Sequence, residues 1–315
     1  MKILATDGFS EVGIQLLENA GHEVIIKNIA KNQISTYINA NEIEGLLVKA
    51  TTPLDRSLIS ELKTLKFIGN CDKNAEHISE NAAKEQNIKV LNANDAWTNS
   101  IAELVIAHLL SCMRHLKDAN REMPLEGDHK FKQLQKSFSG GLELKGKTLG
   151  IIGFGKIGQD VAKKAMALGM QIKFYDPEVD SLKLTLNFPD EQQVVFNLKG
   201  SSLEDVLSTC DAISLHISQS DSYVIGQEEL QMMKPTAGII NTSYHKALDE
   251  VALVKQLENN ELAFGALDVF EDQPQPPIQL MMYPKLSLTP NLSGATQETQ
   301  DRIAEELSSQ ILSLY

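Results

Sequence analysis

Three glycines and one acidic residue form the clearest candidate binding motif in the sequence. Gly153, Gly155 and Gly158 give the pattern G-x-G-x-x-G between the apolar run TLGIIGF and a helical segment, and Asp176 ends the next apolar run. In a turn of this kind the first glycine permits the tight bend and the second admits a pyrophosphate to the backbone. The third lets the helix pack on the strand. The order strand, glycine turn, helix, strand and acidic residue therefore predicts a dinucleotide site.

The same pattern predicts which dinucleotide binds. The main chain of Lys156 and Ile157 opens the helix, and a helix N-terminus is a favourable place for the pyrophosphate. Asp176 would accept hydrogen bonds from ribose hydroxyls and would repel a 2′-phosphate, so the sequence predicts NAD and disfavours NADP. The alternative is a plain strand–helix turn of an α/β protein.

Two runs of alternating strands and helices must position this motif. The first runs from KILATD at Lys2 to KVLNA at Lys89, and the second begins at Lys147. The alternation predicts an α/β fold with two doubly wound parallel sheets of the Rossmann and flavodoxin-like kind. A period-two pattern between Ser181 and Lys199 predicts an inserted β-hairpin. The tail from Ala295 to Tyr315 predicts one amphipathic helix.

A long helix and a polar arm separate the two alternating regions. Ser100 and Glu103 occupy capping-box positions, and apolar residues recur at helical spacing until Pro124, which predicts a helix over Ser100–Met123. The segment Pro124–Gly146 is polar and predicts an arm or long loop. Because the arm has few apolar residues of its own and the helix is apolar around much of its circumference, we expect a homodimer formed through both.

Composition narrows the classes of partner. The chain has 315 residues and a formal net charge of -13, which disfavours nucleic acid as the main partner. Its three cysteines are scattered without metal-ligand spacing, so we predict no metal site and a reducing compartment, the cytoplasm. The N-terminal region does not resemble a signal peptide, and the sequence predicts no membrane span.

The longer motifs identify a resemblance that covers nearly the whole chain. They include NSIAELVIAHLL, LELKGKTLGIIGFGKIGQDVAKKAMALGM, LDEVALVKQLENNELAFGALDVFEDQP and SLTPNLSGATQETQDRIAEEL. The chain resembles the D-isomer-specific 2-hydroxyacid dehydrogenases, most closely the short-form D-3-phosphoglycerate dehydrogenases of serine biosynthesis. The resemblance implies a substrate-side domain of residues 1–97 plus 290–315. It also implies an NAD-binding domain of residues 98–289, which includes the dimerisation helix and arm at 100–146. It places His216, Thr242 and Asp268 among the cofactor-binding residues, with Asp268 near the nicotinamide carboxamide.

The resemblance also implies three catalytic residues, and this sequence lacks all three. In the family an arginine holds the substrate carboxylate, a histidine transfers the hydroxyl proton and a glutamate orients the histidine. Tyr244 stands at the arginine position in NTSYHKALDE, Gln273 at the glutamate position and Asn291 at the histidine position in TPN. A tyrosine is no cation, a glutamine carries no charge, and an asparagine takes no proton near neutral pH.

The substrate-side loop has changed as well. The family carries an arginine followed by a glycine-rich loop, whereas this sequence reads GNCDKNAEH, with Asn70 for the arginine and Asp72 and Asn74 for glycines. Lys49 stands where the family carries a basic residue. Asp72 would repel a small acid ligand, and the loss of glycines restricts how the loop backbone can wrap one.

These replacements leave two main hypotheses. The first is a catalytically degenerate, NAD-binding dimer with a regulatory, sensing or partner role, either as a homodimer or as a heterodimer with an intact paralogue, and with a small acid as a candidate ligand. The second is an active 2-hydroxyacid dehydrogenase whose chemistry has moved to His245, Lys246 and Lys73. A weak activity on a non-acid ligand and a purely structural dimer are the remaining alternatives.

Overall fold

The computed structural model describes residues 1–314, in which every predicted region of alternating apolar runs contains parallel strands. The strands are β1 (Lys2–Ala5), β2 (Glu23–Ile26), β3 (Gly45–Val48), β4 (Phe67–Asn70), β5 (Lys89–Asn92), β6 (Thr148–Ile152), β7 (Gln171–Tyr175), β8 (Ser181–Asn187), β9 (Gln193–Lys199), β10 (Ala212–Leu215), β11 (Gly238–Asn241), β12 (Phe264–Leu267) and β13 (Leu286–Leu288).

The helices lie between the strands as the alternation predicts. They are α1 (Glu11–Asn19), α2 (Ile34–Ala40), α3 (Arg56–Glu61), α4 (Glu80–Glu85), α5 (Thr98–Met113), α6 (Leu116–Ser137), α7 (Lys156–Ala167), α8 (Leu203–Thr209), α9 (Gln227–Gln231), α10 (Glu250–Glu258), α11 (Ile278–Met281) and α12 (Gln297–Leu314). Short 3-10 helices span Lys31–Gln33 and His245–Ala247. The predicted C-terminal helix is confirmed as α12, and its predicted last residue, Tyr315, lies outside the described residues.

The first of two units comprises Met1–Trp97 and the residues from Gly294 onward. Its parallel strands lie in the order β2-β1-β3-β4-β5, so the chain changes direction across the sheet between β1 and β3. All residues of β3 and β4 are buried, as expected where helices cover both faces of a parallel sheet. Helix α12 packs closely on α1, since a Cβ atom at Gly13 would lie 2.6 Å from the methyl carbon of Ala304.

The second unit comprises Thr98–Ser293 and holds a six-stranded parallel sheet in the order β13-β12-β11-β10-β6-β7. Its change of direction lies between β6 and β10. The predicted hairpin is confirmed, since β8 and β9 pair antiparallel from Ser181↔Lys199 to Asn187↔Gln193. Leu184 and Leu186 of β8 are buried in the same apolar cluster as Phe174 of β7. The expectation of two doubly wound parallel sheets is therefore confirmed.

The long helix and the arm differ from the prediction. The helix begins at Thr98, so Ser100 is a buried helical residue rather than a cap, and it ends at Met113, where the Leu142 amide bonds the Met113 carbonyl at 2.7 Å. His115 then adopts a left-handed conformation with φ 54°. A tertiary hydrogen bond to a distant amide therefore ends the helix eleven residues before the proline.

The segment predicted as an arm or long loop is largely helical. Helix α6 runs through Pro124 to Ser137, with a break in helical geometry at Lys130 (φ −117°, ψ 22°). A proline removes one amide from the helical ladder and often bends a helix without ending it. The prediction that Pro124 stops the helix was therefore wrong in both boundary and consequence.

Candidate functional site

The glycine turn lies at the point where the sheet of the second unit changes direction. Gly153 follows β6 with φ +90°, and a Cβ atom there would overlap the carbonyl oxygen of His216, which follows β10. The backbones of the two strand ends are thus too close for any side chain. Ligands of doubly wound sheets bind outside the carboxyl ends of the strands at such a switch point.

The other two glycines have the environments that the motif predicts. Helix α7 begins immediately after Gly155, where a Cβ atom would meet no other atom within 4 Å. At Gly158 a Cβ atom would overlap the carbonyl oxygen of Gly153, so the helix packs on the turn only because this residue is glycine. Lys156 and Ile157 form the first turn of α7. The open side of Gly155 is the side from which a pyrophosphate could approach.

Asp176 has a structural contact that sequence reasoning missed. Its Oδ2 accepts a hydrogen bond from the Phe154 amide at 2.6 Å, and its Oδ1 accepts one from the Glu178 amide at 2.8 Å. The Phe154 ring stacks on Phe174 with ring centroids 3.9 Å apart and is fully buried. The aromatic residue between the glycines was the available signal. Together these contacts fix the glycine turn against the end of β7.

Two further predicted cofactor residues lie at the carboxyl edge of the same sheet. His216 follows β10, is half-buried, and its Nε2 lies 2.8 Å from the hydroxyl of Ser214. Thr242 follows β11 and is fully buried. The structure therefore brings His216 and Thr242 to the edge that carries the glycine turn.

Asp268 anchors the loop that follows β13. Its carboxylate is fully buried and accepts hydrogen bonds from the Thr289 hydroxyl at 2.5 Å, the Leu292 amide at 2.7 Å and the Ser293 amide at 2.9 Å. His108 extends this network, because its Nε2 lies 3.0 Å from the Thr289 hydroxyl. Burial lowers the pKa of His108, although the nearby Asp268 charge opposes the shift.

Tyr244 and its neighbours stand directly after β11. The Tyr244 side chain is buried in the apolar core of the second unit, and its carbonyl accepts a hydrogen bond from the Asn241 side chain at 2.9 Å. The His245 ring packs against the Tyr244 ring with centroids 4.3 Å apart. His245 is half-buried and Lys246 is exposed.

Gln273 and Asn291 are both exposed, and each is held locally. The Gln273 side-chain amide donates to the Phe270 carbonyl at 3.1 Å. Asn291 has φ 53°, and its backbone amide donates to the carbonyls of Asp268 at 3.0 Å and Thr289 at 3.1 Å. Within residues 1–314, no hydrogen bond joins the side chains of Tyr244, Gln273 and Asn291 to one another.

The predicted substrate-side residues cluster at the carboxyl edge of the first unit's sheet. Lys49 is half-buried, and its Nζ donates to the Gln300 side chain at 2.8 Å. Asn70 is almost fully buried, whereas Asp72 and Lys73 are half-buried and Asn74 is exposed. The structure thus brings Lys49, Asn70 and Asp72 to one edge.

A buried carboxyl group near Gln273 was also missed by sequence reasoning. Glu250 is 7% exposed, and its Oε1 accepts a hydrogen bond from the Glu271 amide at 3.0 Å. Burial raises the pKa of Glu250 to about 7, and the charges of Glu271, Asp272 and Asp249 act in the same direction against the effect of that amide. The run of acidic residues was visible in the sequence, but the burial of one of them was not.

The described residues hold neither a candidate metal site nor a candidate membrane span. Within the described residues 1–314, no group of three or more His, Cys, Asp or Glu side chains is placed to hold a metal ion. In the same residues, no helix combines the length and the apolar character needed to cross a membrane.

Comparison with known families decides the identity of this fold. The family profile described as "D-isomer specific 2-hydroxyacid dehydrogenase, NAD binding domain" matches residues 106–293, more than half of the chain. The chain belongs to the D-isomer-specific 2-hydroxyacid dehydrogenase family. Because the matched profile is that of the family's NAD-binding domain, NAD is the cofactor, as the glycine motif predicts.

Individual relatives are similar in sequence to this chain over almost its whole length. Hydroxypyruvate reductase of Thermotoga maritima is 33% identical over 318 residues, which cover 98% of this chain and 97% of the relative. D-3-phosphoglycerate dehydrogenase of Methanocaldococcus jannaschii is 31% identical over 316 residues, which cover 99% of this chain and 57% of the relative. This chain therefore spans little more than half the length of the phosphoglycerate dehydrogenases that it matches.

Solved structures of other proteins share the fold. The TT0316 protein of Thermus thermophilus superposes with a TM-score of 0.84 at 27% identity, over 100% of this chain and 96% of that one. The NAD-dependent formate dehydrogenase of Staphylococcus aureus, solved in complex with NAD, gives a TM-score of 0.75 at 26% identity, over 100% of this chain and 95% of that one.

The different surroundings of two glycines predict different effects of alanine. Gly153→Ala should lower the free energy of unfolding by about 1–3 kcal/mol or more, because the new methyl group meets the His216 carbonyl at a positive φ. Gly155→Ala should change stability by less than about 0.5 kcal/mol but weaken NADH binding, since its methyl group enters open space beside the turn. Urea unfolding and NADH fluorescence titration measure the two effects. Equal stability loss in both variants, or unchanged NADH affinity in Gly155→Ala, would contradict this account.

The buried carboxyl group predicts a pH-dependent stability. Glu250 has an ordinary pKa of 4.5 and a folded pKa of about 7, so between these values the unfolded chain gives up a proton that the folded chain keeps. The wild type should therefore lose stability as pH rises through this window. Glu250→Gln does not titrate, so its stability relative to the wild type should rise between pH 5 and pH 8 by on the order of 1–3 kcal/mol. Urea unfolding at several pH values measures the difference. Glu258→Gln, on the exposed end of α10, is the control, and parallel pH profiles for all three proteins would refute the assignment.

Proposed function

We propose that this chain binds NAD(H) but does not oxidise 2-hydroxy acids at the rate of an ordinary dehydrogenase, and that it acts as a regulator, sensor or partner subunit. The observation that carries the proposal is the burial of Tyr244, which is 7% exposed within the core of the second unit. The resemblance assigns the substrate-binding arginine to this position. A buried phenol offers no forked cation to a carboxylate.

The proton-transfer groups support the same proposal. A hydride cannot leave the substrate carbon while the hydroxyl keeps its proton, so the reaction needs a base with a pKa near neutral. Asn291 stands at the family's histidine position and has no such pKa, and Gln273 at the glutamate position has no charge with which to orient a base. Loss of general acid–base catalysis alone typically costs about 10²–10⁴ in rate.

The cofactor side of the proposal rests on groups that are kept. The three glycines and Asp176 retain the geometry of a dinucleotide turn, and Glu178 adds a second carboxylate just after β7. We therefore propose that the chain prefers NAD(H) over NADP(H), because these carboxylates would repel a 2′-phosphate.

A turnover assay with cofactor binding as its internal control tests the proposal. Hydroxypyruvate with NADH and D-3-phosphoglycerate with NAD are suitable pairs, since relatives of this chain carry the corresponding names. We expect NADH to bind, while its absorbance decays no faster than in protein-free buffer. The Thermotoga maritima hydroxypyruvate reductase serves as the positive control. A rate of roughly 1 s⁻¹ or more would contradict the proposal.

Variants then separate the two hypotheses about chemistry. The triple variant Tyr244→Arg, Gln273→Glu, Asn291→His should recover little activity, because effects of cooperating groups do not add linearly and the loop at 70–74 remains changed. If the wild type does turn over an acid and His245→Ala abolishes the activity, the chemistry has moved to His245 and its neighbours. The half-buried His245 ring, packed on Tyr244, makes that variant the informative one.

We also propose that the chain forms a homodimer through α5 and the segment up to Gly146. Helix α6 supports this, since Leu134 is its one buried residue among those described, while Leu116 (53%), Met123 (42%) and Phe131 (57%) are exposed and recur at helical spacing. An amphipathic helix with an uncovered apolar face is typical of an interface between subunits.

Light scattering at micromolar concentration tests the dimer. The wild type should give a mass near twice 34.8 kDa. Met123→Lys should shift the protein toward the monomer, because it places a charge on the apolar face of α6 that Leu116 and Met123 share. Val251→Lys, at an exposed position of α10 (72%), should not. A monomeric wild type, or dissociation by both variants, would contradict the proposed interface.

The cellular setting is part of the proposal. All three cysteines, Cys71, Cys112 and Cys210, are free thiols, which supports a reducing compartment such as the cytoplasm. A degenerate member with an intact dimerisation segment could also pair with an active paralogue, and co-purification of such a paralogue with the tagged chain would support that role.

A further inference from the structure

A chain of polar contacts crosses the carboxyl edge of the first unit's sheet. The Asn70 side-chain amide donates to the Asn92 side-chain oxygen at 2.9 Å, and the Asn70 side-chain oxygen accepts from the Asp72 amide at 2.9 Å. The Asp72 Oδ2 in turn accepts a hydrogen bond from the Ala50 amide. Asn70 is 1% exposed, so it holds Asp72 in place from within the sheet.

A second carboxylate, that of Asp7, accepts a hydrogen bond from the adjacent backbone amide, that of Lys49. Asp7, which follows β1, accepts hydrogen bonds from the Lys49 amide at 3.1 Å, the Thr51 hydroxyl at 2.5 Å and the Thr6 hydroxyl at 2.8 Å. Burial raises the pKa of Asp7, but these bonds together outweigh it and hold the pKa below its ordinary value. Asp7 therefore stays ionised at neutral pH.

These two amides lie where a doubly wound sheet would receive a ligand. Lys49 and Ala50 directly follow β3, and the sheet changes direction between β1 and β3. Successive backbone amides at such a point form a natural anion site. In this chain each of the two amides already donates to an internal carboxylate, and the Lys49 ammonium is bonded to the Gln300 side chain at 2.8 Å.

We infer that Asp72 is a specificity-determining residue whose carboxylate occupies the Ala50 amide and thereby excludes small acids from this edge of the first unit. Asp7 is fixed by several donors, whereas Asp72 accepts from the Ala50 amide and stands in the loop that continues to the exposed Asn74 and Glu76. The inference rests on the proposed function, because it gives the reason why a member of this family fails to hold an acid substrate.

Titration of the full-length protein with D-glycerate, a small 2-hydroxy acid, tests the inference, with glycerol as the uncharged control ligand. Calorimetry gives the affinity, and the amide signals of Lys49, Ala50 and Thr51 in a nuclear magnetic resonance spectrum give the place of binding. The wild type should show no binding in the millimolar range. Asp72→Gly frees the Ala50 amide and should lower the dissociation constant for D-glycerate by about tenfold or more.

Two further variants separate occupancy of the amide from loss of charge. Asp72→Asn keeps a side-chain oxygen that can accept from the Ala50 amide, so it should gain less affinity than Asp72→Gly. Glu76→Gln removes an exposed carboxylate from the same loop and should gain none. If Asp72→Gly does not fold, as judged by circular dichroism, Asp72→Ala takes its place.

The outcomes distinguish this inference from the proposed function. Binding of D-glycerate by the wild type at these amides, no gain in Asp72→Gly, or an equal gain in Asp72→Gly and Asp72→Asn would each overturn the inference. None of these results bears on turnover. Reduction of NAD by D-glycerate in the wild type, with the signals of these amides unchanged, would instead contradict the proposed function and leave the inference standing.

Discussion

The close approach of the ends of β6 and β10 is the constraint on which the NAD-binding second unit depends. Gly153 after β6 and the His216 carbonyl after β10 lie so near each other that only a glycine with positive φ fits between them. That turn fixes the start of α7, where Gly158 packs on the Gly153 carbonyl. Asp176 then bonds the Phe154 amide from the end of β7. A substitution at Gly153 therefore disturbs three elements, and a chain that keeps this geometry keeps the turn on which NAD binding depends.

The edges that would carry acid chemistry are satisfied from within the protein. Tyr244 contributes its side chain to the core, and the Asn291 amide bonds the carbonyls of Asp268 and Thr289. In the first unit, Asp72 bonds the Ala50 amide. Each of these groups therefore already has a partner within the protein.

Sequence patterns predicted those parts of the fold that depend on local periodicity. The glycine motif, the parallel sheets and the hairpin of β8 and β9 follow from spacing that short segments carry by themselves. The end of α5 does not, because it depends on a hydrogen bond from Leu142, which lies far along the chain. The prediction that the helix ends at Pro124 was wrong for a related reason, since a proline bends or ends a helix according to what surrounds it. The raised pKa of Glu250 depends on burial, which the run of acidic residues in the sequence does not indicate.

The central claim is that the chain retains the glycine turn that binds NAD(H) but no longer transfers hydride to a 2-keto acid. The most direct test is a single-turnover experiment with protein in excess over NADH labelled with deuterium at C4, incubated with hydroxypyruvate and analysed by mass spectrometry. The account predicts that NADH is bound and that glycerate carries no deuterium above the protein-free control. Deuterated glycerate, formed in proportion to the protein and absent when Gly155→Ala weakens cofactor binding, would contradict it.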